Sequence, residues 1–156
     1  MTMDTTGQWM GTPMDQRDID DLLTATGYGI LSLASDDEPY SLPISFGYDV
    51  LENRCIFQLV FHEDSEKSAR LEASNRVSLV AYEWNDPSDW RSVVVEGRLR
   101  PIEEASPAAM DASEIFAEFA SLAGLSVFDR PSADLDPAWY ELEITKMKGR
   151  EAPSIE

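Results

Sequence analysis

Apolar residues along this chain recur at two periods, and the switch between them lays out its elements. From Asp15 to Thr26 the period is helical: Ile19, Leu22 and Leu23 fall at i, i+3 and i+4 and form one apolar face. Asp15 is placed to cap that helix and Gly27 to stop it. Short β-prone runs then take over. They predict strands over Tyr28–Ala34, Tyr40–Tyr48, Cys55–Phe61, Arg76–Trp84, Trp90–Ile102 and Trp139–Met147. Ser35-Asp36-Asp37-Glu38-Pro39 reads as a turn with a proline breaker, and Asp49 to Arg54 as the next turn. Pro43 pushes its own strand towards an edge or bulge position. Two further helices are expected, at about 65–74 and from Asp111 to Ala123. The apolar face of the latter uses Ile115, Phe116, Phe119 and Leu122 or Ala123. Residues 1–14 predict a flexible N-terminal arm, 15–148 a single domain and 149–156 a C-terminal tail.

Six strands with two or three helices predict a mainly β protein, an antiparallel barrel decorated by helices. The helices do not alternate with the strands, so a doubly wound sheet is not expected. Neither G-x-G-x-x-G nor a Walker loop is present, which removes the commonest nucleotide folds. The 156 residues and 43% hydrophobic content suit one domain with a real core. No apolar run approaches the roughly 20 residues that span a bilayer, and the N-terminus lacks a secretion-signal pattern. One cysteine, Cys55, lies in an apolar strand pattern and reads as a core residue. These features point to a reducing cytoplasm.

The formal charge of −18 changes the picture of partners. Acids are spread along the chain, and only Lys67, Lys146 and Lys148 are lysines. Such a surface disfavours nucleic acid and anionic membranes, and suggests adaptation to a salt-rich cytoplasm. It also makes each retained cation a candidate for a specific anionic partner.

Three segments carry candidate chemistry. In Ser65-Glu66-Lys67-Ser68-Ala69-Arg70-Leu71, Ser65 can cap a helix whose N-terminus attracts phosphate. Lys67 adds charge there and Ser68 a hydroxyl. The same residues also suit a surface helix with Lys67 and Arg70 paired to Glu63, Glu66 or Glu72. In Ser41 to Phe46, a bulge at Pro43 would free backbone groups for the polar edge of a ring; Ser45 offers a hydroxyl and Phe46 a flat wall. The alternative is a bent edge strand with nothing bound. Trp90 and Ser92 share a strand face and suit a ring needing cover and a hydrogen bond, or simply the barrel's end. His62, the one histidine, reads as a contact or surface residue, not a general base. No cluster has metal-ligand spacing.

In this order the segments resemble the pyridoxamine 5'-phosphate oxidase-like FMN-binding split barrels, with the nitroimidazole-resistance type nearest in likeness. The resemblance rests on Leu42-Pro43-Ile44-Ser45-Phe46-Gly47-Tyr48, Phe61-His62, Glu66-Lys67-Ser68, Asn75-Arg76-Val77 and Trp90 with Ser92-Val93-Val94-Val95-Glu96-Gly97. It implies a six-stranded, Greek-key-like barrel and a homodimer with FMN at the subunit interface. Pro43, Ile44, Ser45 and Phe46 would line the isoalloxazine. His62 and Lys67, with Ser68, would hold the ribityl phosphate end, and Phe61 is a further expected cofactor-binding residue. Ser92 would touch the ring and Trp90 cover it. The oxidases that make pyridoxal phosphate carry Arg-Lys where this chain has Glu66-Lys67, and end in an arginine-bearing motif absent here. The expected activity is therefore an FMN-dependent oxidoreductase on another small molecule. Deazaflavin or haem in the same barrel, or a non-catalytic flavin-binding module, are the alternatives.

Overall fold

A computed structural model describes residues 11–35, 37–61, 75–103, 106–120 and 136–153. Strand β1 (Thr12–Pro13) leads into helix α1 (Gln16–Thr26). Strands β2 (Tyr28–Ser35), β3 (Glu38–Ser45), β4 (Gly47–Asp49), β5 (Arg54–Phe61), β6 (Arg76–Asp86) and β7 (Asp89–Pro101) follow. Helix α2 (Pro107–Phe119) and strand β8 (Asp136–Glu151) complete the described elements.

Every strand pairing is antiparallel, and the order is β3-β2-β6-β7-β8-β5-β4, with β1 added on β8. That order begins and ends on one stretch of chain, because β3 and β4 are separated only by Phe46. The stretch pairs with β2 on one side of the bend and with β5 on the other, and this closes the sheet into the expected split barrel. The Phe46 N–H donates to the Gly27 carbonyl at 2.9 Å, which fixes the bend.

Alternation fills the barrel. Leu31 and Leu33, Val77, Leu79 and Ala81, Val93 and Val95, Cys55, Phe57 and Leu142 are buried in one cluster. Helix α1 adds Ile19, Leu22 and Leu23 to it, each leucine side chain being worth about 1.5–3 kcal/mol on burial. Its ends follow from its caps: the Asp15 carboxylate accepts from the Asp18 N–H, and Gly27 takes φ 66°, a left-handed conformation open to glycine. The Tyr48 hydroxyl donates to Asp20 at 2.7 Å and ties the helix to β4. Burial, then Asp20, raises the Tyr48 pKa, so the phenol stays protonated. Helix α2 packs on the outside, where Ile56, Ala112, Phe116 and Trp139 form a second cluster, Phe116 and Trp139 meeting edge to face at 5.4 Å.

Several boundaries differ from the sequence reading. Pro39 is not in the turn but paired with Ala34; β3 is an edge strand, so a missing N–H on its open side costs little. The run Tyr40–Tyr48 is two strands, broken at Phe46. Helix α2 starts at Pro107, four residues before Asp111, because Ser106 caps it by accepting from the Ala109 N–H and Pro107 suits the first turn. Strand β8 outruns Trp139–Met147 at both ends, so Gly149–Glu151 are strand and not tail. The end of the expected arm is tied down, since Thr12 and Pro13 pair with Glu151 and Arg150 and Met14 is buried. The helix expected at about 65–74 lies outside the described residues.

Candidate functional site

The residues that fill the barrel decide what its outer face presents. Because Leu31 and Leu33 point inwards, Tyr28, Ile30 and Ser32 point outwards from β2. Register does the rest. Ser45, Pro43 and Ser41 of β3 stand opposite Tyr28, Ile30 and Ser32. Val80 and Ser78 of β6 stand opposite Ile30 and Ser32 on the other side. Across β7, Trp90, Ser92, Val94, Glu96 and Arg98 face Trp84, Tyr82, Val80, Ser78 and Arg76. On β8, Arg150, Lys148 and Lys146 stand opposite Ser92, Val94 and Glu96.

Among the described residues, two clefts open on this face. The first, of about 530 Å³, is lined by Tyr28, Ile30, Pro43, Ile44, Tyr82 and Trp84, with Gly29, Glu83 and Asn85. Its three aromatic side chains are half or more exposed: Tyr28 50%, Tyr82 57% and Trp84 61%. Large rings left this open around a concavity mark a surface that covers something. The second cleft, of about 660 Å³, is lined by Ser32, Ala34, Pro39, Arg76, Ser78, Glu96, Arg98, Thr145 and Lys146, among others. One is aromatic and the other basic.

The expected site residues divide accordingly. Pro43 and Ile44 line the aromatic cleft. Ser45 is 6% exposed, and its Oγ is buried with no hydrogen-bond partner among the described residues. Ser92 is half-buried on the same face, opposite the cleft's Tyr82. It lies three strand spacings from Ser45, roughly 14 Å, too far to share one ligand atom. Phe46 is a correction: it is 0% exposed and packs against Phe57 at 6.3 Å between ring centroids, so its ring belongs to the core and offers no wall. Trp90 is half-buried, and its ring lies against Gly11, where even a Cβ would collide with it; Trp84, its cross-strand neighbour, lines the cleft instead. Phe61 ends β5. His62, Lys67 and Ser68 lie outside the described residues.

Sequence reasoning passed over Tyr28, Tyr82 and Trp84, and gave Arg76, Arg98 and Lys146 no place in the site, although Arg76 lies in a segment that carries the resemblance and Lys146 is one of the few lysines. A signal existed: Ile30, Val80 and Val94 put apolar residues on the outward positions of strands whose inward positions are already apolar, the pattern of a face covered on both sides.

Three arginines elsewhere are answered by carboxylates. Arg54 pairs with Asp49 at 3.0 Å and Glu141 at 2.8 Å. Burial works against its charge, but the hydrogen bonds to Glu141 and Asp49 outweigh that and hold its pKa above the ordinary value. Arg91 pairs with Glu83, and Arg100 with Glu143 at 2.9 Å. Burial raises the Cys55 pKa, so this thiol is a packed hydrophobe. Among the described residues no three His, Cys, Asp or Glu side chains could hold a metal ion, and no helix is long and apolar enough to cross a membrane.

The chain is an antiparallel split barrel with an aromatic and a basic cleft on one outer face. The chain belongs to the pyridoxamine 5'-phosphate oxidase family, whose model matches residues 15–151. Solved structures share the fold. A FAD-binding protein from Mesorhizobium loti is 23% identical with a TM-score of 0.69, covering 90% of this chain and 97% of its own. A FAD-binding protein from Mycobacterium smegmatis is 18% identical with a TM-score of 0.66, covering 90% and 98%. A candidate 5-nitroimidazole antibiotic resistance protein from Bacteroides thetaiotaomicron is 15% identical with a TM-score of 0.67, covering 90% and 86%. No curated protein matches the sequence significantly.

Proposed function

We propose that this chain binds a flavin, in the first instance FMN, and acts as an oxidoreductase on a small molecule. The observation that carries the reading is the open aromatic cleft formed by Tyr28, Tyr82 and Trp84 over Pro43 and Ile44. Family membership supports it, as do the similar proteins described as FAD-binding.

The residues fit a flat cofactor. Three exposed rings give cover on one side of a concavity. Beside it, the buried Ser45 Oγ lacks a partner, which costs about 1–3 kcal/mol unless a bound group or a second subunit supplies one. A bound flavin would supply hydride or electron transfer at its ring. The chain's own residues bind and shield it: Tyr28, Tyr82 and Trp84 cover the ring and exclude water, and Ser45 and Ser92 offer hydrogen bonds at separate points. We read the same face, apolar at Ile30, Val80 and Val94, as the seam between two copies of the chain, which would complete the cover.

Two variants test the site. Trp84→Ala removes an exposed ring, so the protein stays folded while flavin affinity, read by titration and flavin fluorescence, falls about 3- to 10-fold. Unchanged affinity would remove Trp84 from the site. Ser45→Ala deletes a hydroxyl that has no partner among the described residues. Without flavin its melting temperature is expected to hold or rise, while flavin affinity drops by about 1 kcal/mol. Lower stability with intact flavin affinity would mean that Ser45 serves the fold alone.

A further inference from the structure

We propose that the aromatic cleft also selects the substrate: it takes a flat ring with an amide or amidine edge, neutral or positively charged, and turns away rings that carry a carboxylate or phosphate. Calling that ring the substrate rests on the flavin reading above; the ring subsite stands on its own residues. A flavin and the molecule it oxidises or reduces bring their reacting atoms to about 3–3.5 Å, so one cleft serves both.

Shape comes first. The cleft is a fork between two ribbons. Strands β2 and β6 pair only from Leu33 opposite Val77 to Ile30 opposite Val80. Past that point β2 stays with β3, out to Tyr28 opposite Ser45, and β6 stays with β7, out to Asp86 opposite Asp89. Gly29 sits where the ribbons part, and a Cβ there would overlap the Val80 carbonyl oxygen. Tyr28 and Pro43 line one prong, and Tyr82, Glu83 and Trp84 the other. A slot between aromatic prongs fits a flat ring.

Hydrogen bonding comes second. Beyond Val80 no described strand pairs with β6 on its β2 side. Along such an edge N–H and C=O groups stand without strand partners. A planar amide or amidine carries N–H donors in the plane of its ring, so it can bond the edge carbonyls while the ring lies between the prongs. Asn85, also in the lining, donates from Nδ2 to Asp89 Oδ2 at 3.1 Å and keeps its Oδ1 as an acceptor.

Charge then decides between rings of one shape. Among the described residues no lysine, arginine or histidine lines the cleft. Its one acidic side chain, Glu83, is offset by Arg91, which donates to Glu83 Oε1. No described group in the cleft attracts an anion, and the chain as a whole, with 30 acidic and 12 basic residues, repels one. A cation meets the opposite field, and three exposed rings whose π faces attract it, tryptophan most strongly.

The test uses the full chain and three inert rings of one shape: benzamidine, benzamide and benzoate. They are titrated by tryptophan fluorescence and calorimetry at about 0.15 M and about 1 M salt, with and without added FMN. The proposal expects affinity to fall in the order benzamidine, benzamide, benzoate. Benzoate should bind about tenfold or more below benzamidine at the lower salt, and the spread should narrow at the higher. Trp84→Leu keeps apolar bulk and removes a π face, so benzamidine should lose about 2- to 5-fold more affinity than benzamide does. Benzoate bound as tightly as benzamidine, equal losses of benzamidine and benzamide in Trp84→Leu, or no binding of any of the three overturns the subsite. Displacement of all three by FMN would give the cleft to the flavin alone and overturn the proposal. If the charge series holds while neither FMN nor FAD binds, the subsite stands and the flavin reading falls. If flavin binds and the three rings show no order, the flavin reading stands and the subsite falls.

Discussion

Phe46→Ala is expected to lower unfolding stability by about 3–5 kcal/mol, a large share of the total for a domain of this size. The side chain is wholly buried, packs against Phe57, and sits where the strand turns from one edge of the sheet to the other. Its removal leaves a cavity at the point that closes the barrel. The Phe46 N–H, bonded to Gly27, survives the substitution, so the bend persists and the loss is one of packing. Phe46→Leu keeps most of the volume and should cost much less. Denaturant unfolding with and without flavin separates this from a role at the cofactor. The core assignment predicts that Phe46→Leu binds flavin as wild type does while unfolding at lower denaturant. A Phe46→Leu protein of wild-type stability that loses flavin would return the ring to the site.

Gly97→Ala is expected to cost about 3 kcal/mol or more, exceeding the usual penalty for overpacking. A Cβ at this position overlaps the carbonyl oxygen of Glu143 and crowds the Leu142 side chain at 3.0 Å. A backbone oxygen cannot rotate away, so β7 and β8 must separate at the bulge. Those strands form the longest pairing in the sheet, from Arg91 opposite Glu151 to Pro101 opposite Tyr140. The same bulge sets Thr145 and Lys146 in the basic cleft. A thermal melt within about 2 °C of wild type would show that the strands yield without cost at this point.

Helix α1 was legible because its information is local. An apolar face, a capping aspartate and a stopping glycine lie within thirteen residues, and the structure uses each. Strands β2, β5, β6 and β7 were legible as short apolar, β-prone runs for the same reason. The errors arose where partners are distant. Pro39 looks like a breaker until β3 is known to be an edge. Strand β8 looks short because Lys146, Lys148 and Arg150 alternate with Met147 and Gly149, and that pattern makes sense only with β7 alongside. Phe46 reads as a wall or a core residue with equal ease until the bend is known.

The site was legible only in part for a related reason. Pro43 and Ile44 were reachable through a resemblance in one segment. The aromatic cleft draws on β2, β3 and β6, and the basic cleft on β2, β3, β6, β7 and β8. Residues as far apart as Ser32 and Lys146 become neighbours only through register. Read one strand at a time, Tyr28, Tyr82, Trp84, Arg98 and Lys146 are surface residues; assembled, they form two clefts on one face.

The most direct measurement of the central claim is the absorbance and fluorescence spectrum of the protein purified in high salt, then of the supernatant after denaturation. Flavin absorbance in the native protein, with FMN or FAD identified by mass spectrometry of the released ligand, is the predicted result. A colourless protein that takes up neither FMN nor FAD on addition would contradict it.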